Sequence, residues 1–108
     1  MKYPARGEVW LVDLGMAAKV RPCLVMSSEV GENDRALITL VPHTTSTRST
    51  LFEADVATHF LKSGAFDAQG LVTVPVSRAI RALGRLRDDQ MQQVERAVCR
   101  WLGLPCGS

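Results

Sequence analysis

Short runs of apolar and β-branched residues, separated by turn residues, fill the first 86 positions of the chain. Such runs favour strands, because branched and aliphatic side chains pack well on a pleated surface. The runs span residues 8–12, 20–27, 36–41, 51–56, 71–76 and 78–86. Clusters of Gly, Asp, Asn, Ser and Thr separate most of them, and the last two are broken apart near Pro75. Many short strands at this spacing predict a small barrel or sandwich.

The apolar pattern changes to helical spacing near the C-terminus. The residues that share one helical stripe are Met91, Val94, Val98, Trp101 and Leu102, with Ala97 beside them. Asp88 and Asp89 suit a first helical turn, because acidic groups stabilise its free N–H groups. Gly103 and Pro105 end the helix. The sequence therefore predicts a mainly β (α+β) domain with a C-terminal helix packed on the barrel, and one short helical turn over 57–61.

Length and charge limit the function classes that remain. The chain has 108 residues and a mass of 11.8 kDa, which predicts one domain spanning 1–108. Hydrophobic residues make up 46% of it, which is enough to fill a core and argues against a disordered or fibrous chain. The net charge of +2 permits a polyanionic partner without demanding one. Only three of the thirteen basic residues are lysines, and arginine suits bidentate contacts to phosphate.

The cysteines and the start of the chain bear on location and on metal binding. Cys23 lies in an apolar run and is expected in the core, whereas Cys99 and Cys106 lack any spacing typical of a metal site. No basic segment followed by an apolar stretch opens the chain, and no apolar run approaches transmembrane length. We therefore expect a cytoplasmic protein with no membrane contact and no bound metal.

Five segments of the chain carry motifs that recur together in one family. They are Arg6–Leu14, Val20–Ser27, Val41–Ser46, Gly70–Arg85 and Leu86–Val94, and the helix then closes on Trp-Leu-Gly-Leu104. The first three resemble the opening strand, the Arg-Pro strand and the Pro-x-Thr segment of the MazF/PemK toxins. The resemblance covers nearly the whole chain in order, so the five motifs together are specific although each alone is weak.

The resemblance implies both a fold and an activity. The fold is an SH3-like small β-barrel with helices, assembled as a two-fold homodimer. The activity is cleavage of single-stranded RNA by the RNA's own 2′-hydroxyl, which leaves a 2′,3′-cyclic phosphate and a 5′-hydroxyl and needs no metal or other cofactor. The partner is a cognate antitoxin, whose extended acidic tail blocks the groove.

Arg21 is the first candidate catalytic residue. Cleavage requires that the charge developing on the phosphate be stabilised, and a guanidinium at a loop-to-strand junction can reach a phosphate as a fixed fork. The resemblance identifies Arg21 as the family's catalytic arginine. We expect an electrostatic role, because arginine rarely gives up its proton. The alternative from the sequence alone is a surface salt bridge to Asp13 or Glu8.

Hydroxyl groups just after the third strand are the second set of catalytic candidates. The resemblance implies a catalytic Thr or Ser within residues 42–46, and a hydroxyl past a strand end can donate to a phosphate oxygen. Thr44 ranks first and Thr45 second, while Ser46 ranks third and is also a candidate for substrate binding. The alternative is a polar turn that is capped by its own hydroxyls.

One histidine and three arginines are further candidates for substrate binding. His43 could act as a general base near neutral pH, or it could contact a nucleobase or simply face water. Arg48, Arg81 and Arg85 could form a track for phosphates, and strand alternation places Arg81 and Arg85 on one face. The alternative for each arginine is a solvated basic surface.

Two other functions fit the same architecture. One is a non-enzymatic toxin resembling CcdB, which binds DNA gyrase and would depend on residues around Trp101 instead of Arg21. The other is an SH3-like interaction module that has lost its catalytic groups. The loop 15–19 before Arg21 is short and carries no acid, whereas many MazF/PemK relatives have a carboxylate there. We therefore expect no acid–base role for a glutamate in that loop.

Overall fold

Strands make up most of the fold, and one long helix follows them. The computed structural model describes residues 3–15 and 19–106. Within these residues the elements are β1 (Glu8–Asp13), β2 (Val20–Val25), β3 (Leu37–Thr44), β4 (Glu53–Ala54), β5 (Ala65–Asp67), β6 (Val72–Pro75), β7 (Ala79–Arg85) and α1 (Asp88–Leu102). Two single-turn 3-10 helices, Ala68–Gly70 and Val76–Arg78, precede β6 and β7. The predicted mainly β architecture with a C-terminal helix is confirmed.

The strand β3 organises the sheet. The strand order is β4-β5-β3-β2-β1-β7, β6 also pairs with β3, and the pairs between described strands are antiparallel. β2 pairs with residues 40–42 of β3, β6 pairs with residues 37–40, and β5 pairs with His43 and Thr44. Within the described ranges no pairing joins β4 to β7, so the barrel is open. The end of β3 is therefore a point at which several strands meet.

Successive residues of the central strands pack into two cores on opposite faces of the sheet. The first core contains Val9 and Leu24, and the second contains their neighbours Trp10 and Val25. This alternation follows from strand geometry, in which adjacent side chains point to opposite faces. Cys23 is fully buried in the second core, as predicted, and burial raises the pKa of its thiol to about 12. The Cys23 thiol is therefore protonated and serves as a small apolar residue.

The helix α1 packs one side against the first core. Met91, Val94 and Ala97 are buried there, as the helical stripe predicts. Trp101 and Leu102, which belong to the same stripe, remain 43% and 48% exposed, and the Trp101 ring lies 5.3 Å from the Phe52 ring, centroid to centroid. Neither α1 nor any other helix in the described part of the chain is long and apolar enough to cross a membrane.

Side-chain hydrogen bonds from Gln90 and Arg87 stabilise the start of α1. The Gln90 side chain accepts the backbone N–H of Arg87 at 2.9 Å and donates to the carbonyl of Ala57 at 3.1 Å. Arg87 also donates twice to the carboxylate of Asp89, at 3.0 and 3.1 Å. This hydrogen bonding lowers the pKa of Asp89 and raises the pKa of Arg87. Gln90 therefore both caps the helix and ties it to the loop after β4.

The chain reverses after α1 and is bonded back to the helix. Gly103 adopts a left-handed backbone with φ of 68°, and the N–H of Leu104 donates to the carbonyl of Cys99 at 3.0 Å. The reversal brings Cys106 beside Cys99, with Cα atoms 5.8 Å apart, and the two residues form a disulfide. The spacing of the two cysteines does not predict this pairing, because it depends on the reversal at Gly103.

Two expectations about the segment between β3 and β6 need correction. The strand expected over 51–56 shrinks to Glu53–Ala54, and residues 57–61 contain a turn at His59 and Phe60 but no helix. The region 63–70, which has the composition of a turn, contains β5 and a 3-10 helix. β5 forms because it pairs with both β3 and β4. Such tertiary pairing overrides local composition.

Candidate functional site

A cleft of about 480 Å³ opens beside the end of β3. It contains the catalytic arginine candidate and all three hydroxyl candidates. The described residues that line it are Leu11, Arg21, Pro22, His43, Thr44, Thr45, Ser46, Phe60, Leu61, Lys62, Arg81 and Leu83. Arg48 and Arg85 are not among them, and the backbone N–H of Arg48 instead donates to the Glu53 carboxylate at 2.8 Å. The fold thus brings most of the predicted site residues to one place.

Arg21 reaches the cleft from the second position of β2. The carboxylates that were its predicted salt-bridge alternatives lie next to other arginines. Asp13 is 4.0 Å from the guanidinium of Arg78. Glu8 is 3.8 Å from the guanidinium of Arg85. Arg21 makes no ion pair with an acidic residue of the described segments, so its guanidinium can bind an anionic ligand.

Thr44 is the last residue of β3 and lines the cleft. Its Oγ1 accepts the backbone N–H of Ser46 at 3.0 Å, which is the self-capped turn considered as the alternative. This bond uses an oxygen lone pair and leaves the hydroxyl proton able to donate elsewhere. Thr45 and Ser46 follow on the exposed loop. Self-capping therefore fixes the Thr44 oxygen without removing its capacity as a donor.

His43 belongs to the buried floor of the cleft. It is only 5% exposed, and its ring forms a T-shaped contact with the Phe66 ring, with centroids 5.1 Å apart. Its Nε2 atom is buried and has no hydrogen-bond partner among the described residues. Burial lowers the pKa of His43, because apolar surroundings disfavour the charged ring. The ring is therefore neutral at neutral pH, and the alternative of a water-facing histidine is wrong.

A bulge in β7 separates Arg81 from Arg85. The partners of these two arginines in β1 are Leu11 and Glu8, respectively, and the register shifts between them. Leu11 and Glu8 are three residues apart in β1 and therefore point to opposite faces of the sheet. The arginines paired with them point to opposite faces too. The Arg85 side chain instead donates to the carbonyl of Arg6 at 3.3 Å. The prediction that the two arginines share a face is therefore wrong, and Arg81 alone of the pair lines the cleft.

The segment 60–62 forms a wall of the cleft that no motif of the sequence predicts. Phe60, Leu61 and Lys62 all line the cleft. The Phe60 ring lies against Gly84 of β7, where an added Cβ would stand 2.5 Å from a ring carbon. A lone lysine between apolar and small residues carries no sequence signal for a site. Its presence in the cleft depends on this packing of the preceding aromatic ring.

The charge of the cleft is positive. Its cationic side chains are Arg21, Lys62 and Arg81, and none of the described lining residues is acidic. The acid-free loop 15–19 is described only at its two ends, since residues 16–18 lie outside the described ranges. In the described ranges no group of three or more His, Cys, Asp and Glu side chains could hold a metal ion. Fixed cations beside a hydroxyl suit a phosphate group on which negative charge develops.

Comparison with known families decides which proteins this chain resembles. Residues 5–102 match the family model described as PemK-like, MazF-like toxin of type II toxin–antitoxin systems. The chain belongs to this family. The matched range includes every element from β1 to α1 and every described residue of the cleft. The resemblance drawn from the sequence motifs is thereby confirmed, and a CcdB-like toxin is not favoured.

Solved structures of MazF-like toxins have the same fold. An endoribonuclease in complex with its cognate antitoxin, from a mycobacterial species, is 25% identical over 96% of this chain and 99% of that chain, with a TM-score of 0.82. The Mycobacterium tuberculosis toxin MazF-mt6 is 25% identical over 92% of this chain and 99% of that chain, with a TM-score of 0.78. A MazE–MazF structure from Deinococcus radiodurans is 22% identical over 96% of this chain and 99% of that chain, with a TM-score of 0.79. These similarities confirm the small barrel-like fold.

Proposed function

We propose that this MazF-like toxin is a metal-independent endoribonuclease that cleaves single-stranded RNA in the cytoplasm. The observation that carries the proposal is the cleft shared by Arg21 and Thr44, which has three cationic side chains and no described acidic one. Two solved structures of similar fold are endoribonucleases by name, which supports the same activity here. A cationic cleft with an apolar wall also suits a single strand, whose bases are accessible and whose backbone is anionic.

The reaction is an internal transfer of the phosphoryl group. The 2′-oxygen attacks the adjacent phosphorus, the bond to the 5′-oxygen breaks, and the proton lost by the 2′-hydroxyl is balanced by one gained by the 5′-oxygen. Arg21 stabilises the non-bridging oxygens as their negative charge grows, and the Thr44 hydroxyl donates to one of them. One preorganised donor of this kind typically contributes about 100- to 1000-fold to the rate.

The proposal includes two protein partners, a cognate antitoxin and a second copy of the chain. An endoribonuclease and a MazF of similar fold have been solved with their antitoxins, and an acidic antitoxin segment would fit the cationic cleft. A homodimer would bury exposed apolar side chains such as Val20 and Ile80, which are 47% and 53% exposed. Light scattering tests the dimer, since it should report twice the mass of one chain.

Incubation of the purified protein with single-stranded RNA in excess EDTA tests the activity. The expected products carry 2′,3′-cyclic phosphate and 5′-hydroxyl ends. Arg21→Ala should slow cleavage about 100- to 1000-fold in a folded protein. Arg21→Lys should not restore the rate, because a point charge does not replace the guanidinium fork. Arg35→Ala, at an exposed position outside the cleft, is the control. Intact RNA, or near-normal cleavage by Arg21→Ala, would overturn the assignment.

A further inference from the structure

Lys62 is a cation of the cleft to which the reaction above gives no role. It lies on an exposed part of the loop between β4 and β5, and its neighbours Phe60 and Leu61 line the same cleft. Its ammonium group forms no ion pair with the described carboxylates. The segment 60–62 therefore presents one positive charge beside an apolar surface.

Two close contacts, one on each side of Lys62, hold this segment against the sheet. A Cβ added at Gly64 would stand 2.2 Å from the carbonyl oxygen of Thr44 and 2.8 Å from a ring carbon of His43. On the other side, Phe60 lies against the bare backbone of Gly84, as described above. Neither glycine has room for a side chain. The segment that carries Lys62 is therefore packed closely against β3, which carries Thr44, and against β7.

The surface beside Lys62 has the properties of a nucleobase-binding site. Phe60, Leu61 and Leu83 are partly buried against the first core and also line the cleft. The cleft volume of about 480 Å³ lies within the range of roughly 300–1,000 Å³ found for small-molecule pockets. In a single strand the bases bind to apolar and aromatic surfaces, while the phosphates on either side of each base require cations.

We propose that residues 60–62 form a nucleotide subsite, in which Lys62 binds a phosphate next to the scissile one and the apolar wall holds the intervening base. The inference rests on the proposed ribonuclease function and deepens it, because it identifies how the strand is aligned on Arg21. Lysine binds phosphate as a point charge. The Lys62 contact therefore recognises the RNA backbone and discriminates little between bases.

Binding of a fluorescent 2′-O-methyl RNA of mixed sequence tests the Lys62 contact, since this probe has no free 2′-hydroxyl and cannot be cleaved. For single strands, loss of one phosphate contact makes the negative slope of log affinity against log salt shallower by about 0.7. When the salt is raised from about 50 to 200 mM, the affinity of Lys62→Gln should therefore fall by a factor about 2.6 times smaller than that of the wild type. Lys62→Arg should keep the wild-type slope. Arg35→Gln, which removes an exposed charge outside the cleft, should keep it too.

The outcomes separate this inference from the proposed activity. A reduced slope in Lys62→Gln, with wild-type slopes in Lys62→Arg and Arg35→Gln, supports the subsite. A wild-type slope in Lys62→Gln, or no binding of the probe by the wild type, overturns it, while RNA cleavage in EDTA decides the ribonuclease function independently. If Lys62→Gln lowers the slope but the wild type cuts no RNA, the phosphate contact stands and the proposed activity fails.

Discussion

Replacing Gly64 with alanine tests whether the loop before β5 is pressed against the strand that carries Thr44. The new Cβ would stand 2.2 Å from the Thr44 carbonyl oxygen, whereas ordinary contact begins near 3.4 Å. One of the two backbones must therefore retreat by about 1.2 Å. Because Thr44 and Ala65 are paired in the sheet, this retreat shifts the Thr44 hydroxyl relative to Arg21.

Gly64→Ala is expected to slow cleavage in a protein that still folds. A misplacement of about 1 Å can cost about 100-fold in rate. Overpacking typically costs about 1–3 kcal/mol, which is less than the roughly 5–15 kcal/mol by which native domains are stable. Single-turnover cleavage of RNA should therefore slow roughly 100-fold in a protein that still unfolds cooperatively. Gly31→Ala is the matched control, because its Cβ would lie 3.5 Å from an Asp34 oxygen in an exposed turn. Wild-type cleavage and melting by Gly64→Ala would refute the reasoning.

Two further predictions concern stability. Burial lowers the pKa of His43 in the folded protein below its ordinary value of 6.5. As the pH falls below 6.5, the unfolded chain therefore takes up the proton first. The stability that the neutral ring contributes is present above pH 6.5 and is lost below it. Between about pH 7.5 and 5.5, urea unfolding should show a smaller loss for His43→Leu than for wild type or His59→Leu; equal losses would contradict this. Gln90→Ala removes the helix cap and the bond to Ala57, and should lower the free energy of unfolding by about 1–3 kcal/mol. Gln92→Ala, which is exposed, should change it by less than about 0.5 kcal/mol, and equal effects of both would mean that the cap contributes nothing.

The elements that the sequence predicts well are those long enough to show a pattern. β1, β2 and β3 are runs of six to eight mostly apolar residues, and α1 buries side chains at helical spacing, so their positions follow from the sequence to within a few residues. β4 and β5 have only two and three residues, too few for a period to appear. They exist because they pair with each other and with β3, and this long-range pairing has no local signature.

The residues of the site divide in the same way, into those that lie in a sequence motif and those that long-range contacts bring to the cleft. Arg21, Thr44 and His43 are predictable because each lies in a motif that resembles the MazF/PemK toxins, and the cleft contains all three. The direction of Arg85 depends on a bulge in β7, which strict strand alternation does not anticipate. Lys62 escapes prediction because its place in the cleft results from contacts between glycine backbones and distant residues.

The pairing of β3 with three other strands affects how the enzyme loses activity on heating. Its amides have partners in β2, β5 and β6, so they should exchange with solvent only when the whole domain opens. Thr44 terminates this protected strand, and the exposed residues 45–50 beyond it belong to no strand. The hydroxyl is therefore attached to a strand that we expect to stay paired until the sheet melts. Heat inactivation should coincide with global unfolding instead of preceding it.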